Sequence, residues 1–164
     1  MKGKMEMREG RKMIEQIYDP DLKRMIARKI LEALHEWFEV DESREKYIAD
    51  CADWIFFAAK EAGEYAGFLC LKETGRETVE LAVMGVRRED HRKGLGRELF
   101  QAARKAAREK GYLFLQVKTV KMGVYEDYDI TNRFYLSLGF KEFEVIEELW
   151  DKANPCQIYV MSLI

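Results

Sequence analysis

The sequence predicts one α/β domain with a mixed sheet, antiparallel in its first part and parallel around one long helix. Three patterns in the 164 residues carry this. Apolar runs at 54–60, 65–72 and 78–86 succeed one another across the turns Glu61–Glu64 and Glu73–Arg76, as in an antiparallel meander. Residues 78–120 then read as strand, amphipathic crossover helix and strand, the unit that makes a parallel pair. Two further runs at 140–146 and 157–163, joined by a loop at 150–155, read as a closing hairpin.

Residues 1–11 read as an irregular lead-in, and 12–18 as a short edge strand or its continuation. Asp19-Pro20 starts a helix, with Asp as N-cap and Pro at the first helical position. Leu22, Ile26, Ile30, Leu34, Trp37 and Phe38 recur at helical spacing, so this helix is expected to run to about Glu39, and a shorter one from Ser43 to Cys51. After the third strand, Leu95, Leu99, Phe100, Ala103, Ala106 and Ala107 share one face of the long helix, and Gly111 is placed to cap it. A last helix spans 126–138, with Ile130, Phe134 and Leu138 as its expected apolar stripe and Gly139 as its stop.

Bulk properties exclude several classes. A formal charge of −2 lacks the basic footprint of a nucleic-acid binder. The longest apolar run, Trp54–Ala59, is far too short to span a bilayer. The charged amino-terminal stretch has no apolar core of a signal peptide, and Cys51, Cys70 and Cys156 match no metal-ligand spacing, so reduced thiols in a cytoplasmic protein are expected. His35-Glu36 lacks a second histidine four residues on, and no metal is expected. Abundant Glu, Lys and Arg with two asparagines hint at a thermophilic source.

The chemistry concentrates at His91-Arg92-Lys93-Gly94-Leu95-Gly96, between a strand and the long helix. Glycines let a ligand approach the backbone, and the helix start supplies free N–H groups and a positive dipole end. Together these make an anion site, ringed by Arg87, Arg88, Arg92, Lys93 and Arg97. A Walker loop is excluded because Gly96 is followed by Arg97 and Glu98; a Rossmann fingerprint is excluded because position 99 is Leu. On the glycines alone, a plain strand-to-helix turn with a solvated basic face is an equal reading.

Val86 to Gly96 resembles motif A of the GNAT superfamily of acyl-CoA-dependent N-acyltransferases, with His91 where Gln or Arg is usual. Downstream, Phe134-Tyr135-Leu136-Ser137-Leu138-Gly139-Phe140 resembles that family's Phe-Tyr-x-x-x-Gly-Phe, and Tyr128 stands where the family often carries Asn. The resemblance covers roughly residues 18–164 and implies the GNAT fold, a mostly antiparallel mixed sheet with a splayed central parallel pair flanked by helices. It implies acetyl-CoA as cosubstrate. The backbone around Arg92, Lys93, Gly94, Leu95, Gly96 and Arg97 would hold the pyrophosphate, beside His91. Met84, Gly85 and Val86 would run beside the pantetheine arm, with Gly85 marking a bulge.

It further implies acetyl transfer to a primary amine in a ternary complex, with Tyr135 as general acid and Glu80 as general base. On residues alone, Tyr135 is more readily a packing residue, and Glu80 is as readily a solvated strand glutamate. Glu80, Ala82, Met84 and Val86 share a strand face, and apolar neighbours there would favour a base. The acidic group Glu126, Asp127 and Asp129 reads as a favourable helix start or as an attractor for a cationic amine. The acceptor is expected to be a small-molecule or peptide amine, and a homodimer through the C-terminal strands is implied by analogy. A non-catalytic acyl-CoA-binding module is the competing reading.

Overall fold

The computed structural model describes residues 12–34 and 41–164. The lead-in and the readings on His35, Glu36, Trp37, Phe38 and Glu39 lie outside them. The elements run β1 (Lys12–Ile17), α1 (Pro20–Ala33), α2 (Asp41–Asp50), a 3₁₀ turn (Cys51–Asp53), β2 (Ile55–Glu61), β3 (Glu64–Glu73), β4 (Thr78–Val86), a second 3₁₀ turn (Arg88–Asp90), α3 (Leu95–Glu109), β5 (Phe114–Val120), α4 (Glu126–Leu138), β6 (Lys141–Asp151) and β7 (Asn154–Ser162). The strands form one seven-stranded sheet of order β1-β2-β3-β4-β5-β7-β6. β1–β2, β2–β3, β5–β7 and β6–β7 are antiparallel and β4–β5 is parallel, as the crossover pattern requires. The chain divides into two compact units, one ending at Lys72 and resuming over Val83–Lys105, the other made of Glu73–Ala82 and Ala106–Ile164.

In the first unit the Asp19 carboxylate accepts from the Asp21 N–H and Pro20 opens α1. This helix buries Ile26, Ile30, Leu31 and Leu34 in a core with Ile48, Phe56, Phe68 and Val83. It is described to Ala33, with Leu34 as its C-cap (φ −106°, ψ 32°) and the Leu34 N–H on the carbonyls of Ile30 and Leu31; the expected end near Glu39 lies outside the described residues. Lys23 is buried, and its Nζ donates to the carbonyls of Trp54 (2.6 Å) and Ala52 (3.2 Å), satisfying the turn after α2.

Burial alternates without a break from Thr78 to Val86, and the parallel ladder to β5 covers Thr78 to Glu80, short of Gly85. Space explains this glycine: a Cβ would stand 3.0 Å from Ile30 and 3.1 Å from Leu34. Gly67 lies against it from β3, where a Cβ would stand 2.9 Å from the Gly85 carbonyl oxygen.

In the second unit the parallel ladder pairs Thr78, Val79 and Glu80 with Phe114, Leu115 and Gln116. α4 ends at Gly139, whose φ of 104° is left-handed, with its N–H on Leu136 O and that of Phe140 on Tyr135 O. The buried stripe of α4 is Asn132, Tyr135 and Leu138, while Ile130 is 58% exposed. A polar residue therefore takes the inward place that apolar counting gave to isoleucine. The closing hairpin is longer than its hydrophobic runs: Trp150, Asp151, Asn154 and Pro155 lie in strands, leaving Lys152 and Ala153 between them. The Asn154 side chain closes that end by donating to the Asp151 carboxylate.

Candidate functional site

The glycine turn is assembled from the first unit alone. The Arg87 N–H donates to Ala66 O at 2.8 Å, tying the exit of β4 to β3. The 3₁₀ turn follows, and its last residue, Asp90, is 2% exposed between two cations. Arg87 Nε donates to one carboxylate oxygen at 2.7 Å and Lys93 Nζ to the other at 3.1 Å. Burial alone would push the Asp90 carboxyl up. The hydrogen bonds from Lys93 and Arg87, with their charges, outweigh that and hold it below the usual carboxylate range. Arg87 also reaches Glu64 and Glu89. Two of the five cations expected to surround an anion are thus braces of the turn.

His91 is exposed, and its Nε2 lies 2.7 Å from Val86 O, so that nitrogen carries the proton and donates. The residue that departs from the expected Gln or Arg therefore pins the last strand carbonyl. That oxygen is taken, which leaves less backbone at Val86 for a pantetheine arm than the strand reading implies. Arg92 and Gly94 both have left-handed φ, 65° and 80°. For Gly94 this conformation is free of side-chain strain, whereas Arg92 adopts it against its preference. Leu95 is 1% exposed and anchors the helix start. The first bond inside α3 runs from Glu98 N–H to Gly94 O at 3.1 Å. The N–H groups of Leu95 and Gly96 stand in the first helical turn, ahead of the first i→i−4 bond. Lys12 Nζ from β1 sits 3.7 Å from where a Gly94 Cβ would be and pairs with Glu98 at 3.2 Å. Its position in an edge strand gave the sequence no signal of this.

The proposed acid and base both lie in the second unit. Glu80 is on β4, and its neighbourhood is not apolar as expected. Lys118 of β5 brings Nζ to 2.7 Å from Glu80 Oε1, with the side chains 14% (Glu80) and 31% (Lys118) exposed. The Cys156 thiol adjoins them: burial pushes it up, Lys118 pulls it down and Glu80 pushes it up. Tyr135 is buried within an aromatic group, its ring 5.9 Å from those of Phe134 and Phe140 and 6.2 Å from that of Tyr159.

Asn132, which the sequence reading passed over, is 0% exposed and fully engaged. Its Nδ2 donates to Val120 O (2.9 Å) and Tyr128 O (2.6 Å), and its Oδ1 accepts from the Tyr159 hydroxyl at 2.6 Å. It clamps α4 to β5 and β7, three residues before Tyr135 on the same buried face. Asp129 accepts from Gly123 N–H at 2.7 Å, so this member of the acidic group orders the loop before α4.

Among the described residues no group of three His, Cys, Asp or Glu could hold a metal ion, and no helix is long and apolar enough to cross a membrane. The sequence model of the Acetyltransferase (GNAT) family matches residues 13–140. No curated protein matches the sequence. Solved structures match the fold. An aminoglycoside 6'-acetyltransferase type Ii has a TM-score of 0.76 at 19% identity, over 93% of this chain and 97% of its own. An aminoglycoside 6'-N-acetyltransferase complexed with coenzyme A has a TM-score of 0.74 at 18% identity, over the same shares of the two chains. An IAA acetyltransferase from Bacillus cereus has a TM-score of 0.71 at 19% identity, over 92% of this chain and 99% of its own.

Proposed function

Since the chain belongs to the GNAT acetyltransferase family, we propose that it transfers an acetyl group from acetyl-CoA to a primary amine, directly, in a ternary complex within the cytoplasm. The observation that carries this reading is the glycine turn, with left-handed Gly94 leading into α3 and its outward N–H groups. The turn fits a pyrophosphate in its donor set: backbone N–H groups, a helix start and the Arg92 and Arg97 side chains, on a frame braced by Asp90. Met84, Gly85 and Val86 would flank the pantetheine arm; the backbone N–H groups of Lys93 and Leu95 would join those of the turn around the pyrophosphate, while their side chains and His91 shape the turn.

The reaction needs the ammonium of the acceptor to lose a proton before its nitrogen attacks the thioester carbonyl carbon. Glu80 is the group proposed to accept that proton. As the C–S bond breaks, the thiolate leaves, and Tyr135, a phenol with an ordinary pKa of about 10, is proposed to protonate it. The second proton on the new amide nitrogen balances the one Tyr135 has given. Binding both substrates together makes the encounter effectively unimolecular. The aminoglycoside acceptors named for two of the structural neighbours support a small-molecule amine among the small-molecule and peptide amines proposed as acceptors here.

Calorimetric titration tests the cofactor reading. Acetyl-CoA and CoA are expected to bind at about micromolar Kd, near −8 kcal/mol, and no heat of binding overturns the proposal. Thiol release across a panel of amines then separates an enzyme from an acyl-CoA-binding module, which would release none.

A further inference from the structure

Glu80 and Lys118 face the same side of the sheet. Glu80 pairs with Gln116 in the parallel ladder, and Lys118 stands two residues further along β5. Residues two apart on a strand share a face, so the two charges meet diagonally across the strands. Asn132 and the Tyr159 hydroxyl belong to the other side, because Tyr159 pairs with Val117. The contact is unlike the chain's surface ion pairs, such as Arg24–Asp21 and Lys152–Glu148, whose acids are 88% and 67% exposed. Glu80 Oε1 is shielded from solvent, and although Lys118 Nζ is 2.7 Å away, the two are out of hydrogen-bond alignment.

Such a pair adds little to stability, since apolar side chains at two strand positions would serve the sheet as well or better. Its chemistry suits a ligand instead. A carboxylate and an ammonium side by side present one acceptor for a cation and one donor for an anion. An acceptor with an amine alone would draw Glu80 away and leave Lys118 half-buried without its counter-charge, which is unfavourable. An acceptor with a carboxylate near its amine would leave every charge paired: its ammonium on Glu80 and its carboxylate on Lys118.

We propose that Glu80 and Lys118 together select the acceptor, and that the acceptor is an amino carboxylate, an amino acid being the simplest. This rests on the acetyl-transfer reading and names its substrate class. Lys118 is then a specificity-determining residue and Glu80 the group that meets the amine.

The test compares matched acceptors that differ only in the carboxylate: lysine against cadaverine, phenylalanine against phenethylamine, and alanine against ethylamine. Thiol release is followed at saturating acetyl-CoA. The wild-type protein is expected to favour the carboxylated member of a pair by about tenfold or more in kcat/KM. In Lys118→Met that ratio should collapse toward unity, and in Lys118→Arg it should largely return. Equal or faster turnover of the decarboxylated members by the wild type overturns the proposal, with no variant needed. So does a ratio that Lys118→Met leaves unchanged. If no acceptor releases thiol but CoA still binds in the calorimeter, the acceptor class falls and the cofactor reading stands. If CoA does not bind either, the acetyltransferase reading falls with it.

Discussion

Asp90 shows how much one side chain decides in the glycine turn. It is buried, and its two oxygens hold Arg87 and Lys93. Asp90→Ala is expected to destabilise the protein by about 2 kcal/mol, because Lys93 loses its partner and Arg87 the shortest of its three carboxylate contacts; urea unfolding at neutral pH measures this. The sign of its pH dependence follows from its lowered folded pKa. A carboxyl held below its unfolded value of about 3.9 contributes stability above that value and loses it as pH falls through the folded one. Wild-type stability should therefore fall more steeply below about pH 4 than that of Asp90→Asn, measured by urea midpoints from pH 7 to 3. His91→Ala should cost about 1 kcal/mol, through the lost bond to Val86 O. CoA affinity should change by less than about threefold, since His91 acts on the frame and not on the phosphate. Tyr135→Phe should lower kcat by about 10²-fold with CoA affinity nearly intact if the hydroxyl is the acid. Unchanged turnover assigns Tyr135 to packing, where its ring contacts with Phe134, Phe140 and Tyr159 already place it.

At the scale of elements, close approach and buried polarity matter more than propensity. β3 and β4 meet where Gly67 faces Gly85, and α1 rests on Gly85 through Ile30 and Leu34. Gly67→Ala should destabilise more than Gly85→Ala, about 2–3 against about 1–2 kcal/mol. The first new methyl meets backbone oxygen at 2.9 Å and the second meets side-chain methyls, Ile30 Cγ2 at 3.0 Å and Leu34 Cδ1 at 3.1 Å. The reverse order in denaturant unfolding would show that the strands can shift and the helix cannot. Much of this level was legible in the chain: β4 at 78–86 and α4 at 126–138 match their apolar patterns and stops residue for residue. The inward face of α4 was not. Counting apolar residues selects Ile130, but Asn132 turns inward because the carbonyls of Val120 and Tyr128 and the Tyr159 hydroxyl wait there. Two of these partners, Val120 and Tyr159, come from β5 and β7, which no local pattern reveals.

For the whole molecule the decisive experiment is ligand linkage. CoA at about 100 times its Kd should stabilise the protein by about 2.7 kcal/mol, read as a rise in unfolding midpoint. A midpoint independent of CoA would contradict binding to the native state. The antiparallel β2–β3 pairing, the parallel crossover, the closing hairpin and the glycine turn between strand and helix were set by local signals: alternation, helical spacing, caps and two glycines. Those signals act over a few residues and survive without knowledge of the fold. The partners of the charged side chains were decided by the tertiary structure. Asp90 between Arg87 and Lys93, Lys12 beside Gly94, and Lys118 against Glu80 depend on which strands and turns come together. A charge on a strand reads the same in sequence whether it meets water or a counter-charge, and only packing distinguishes the two.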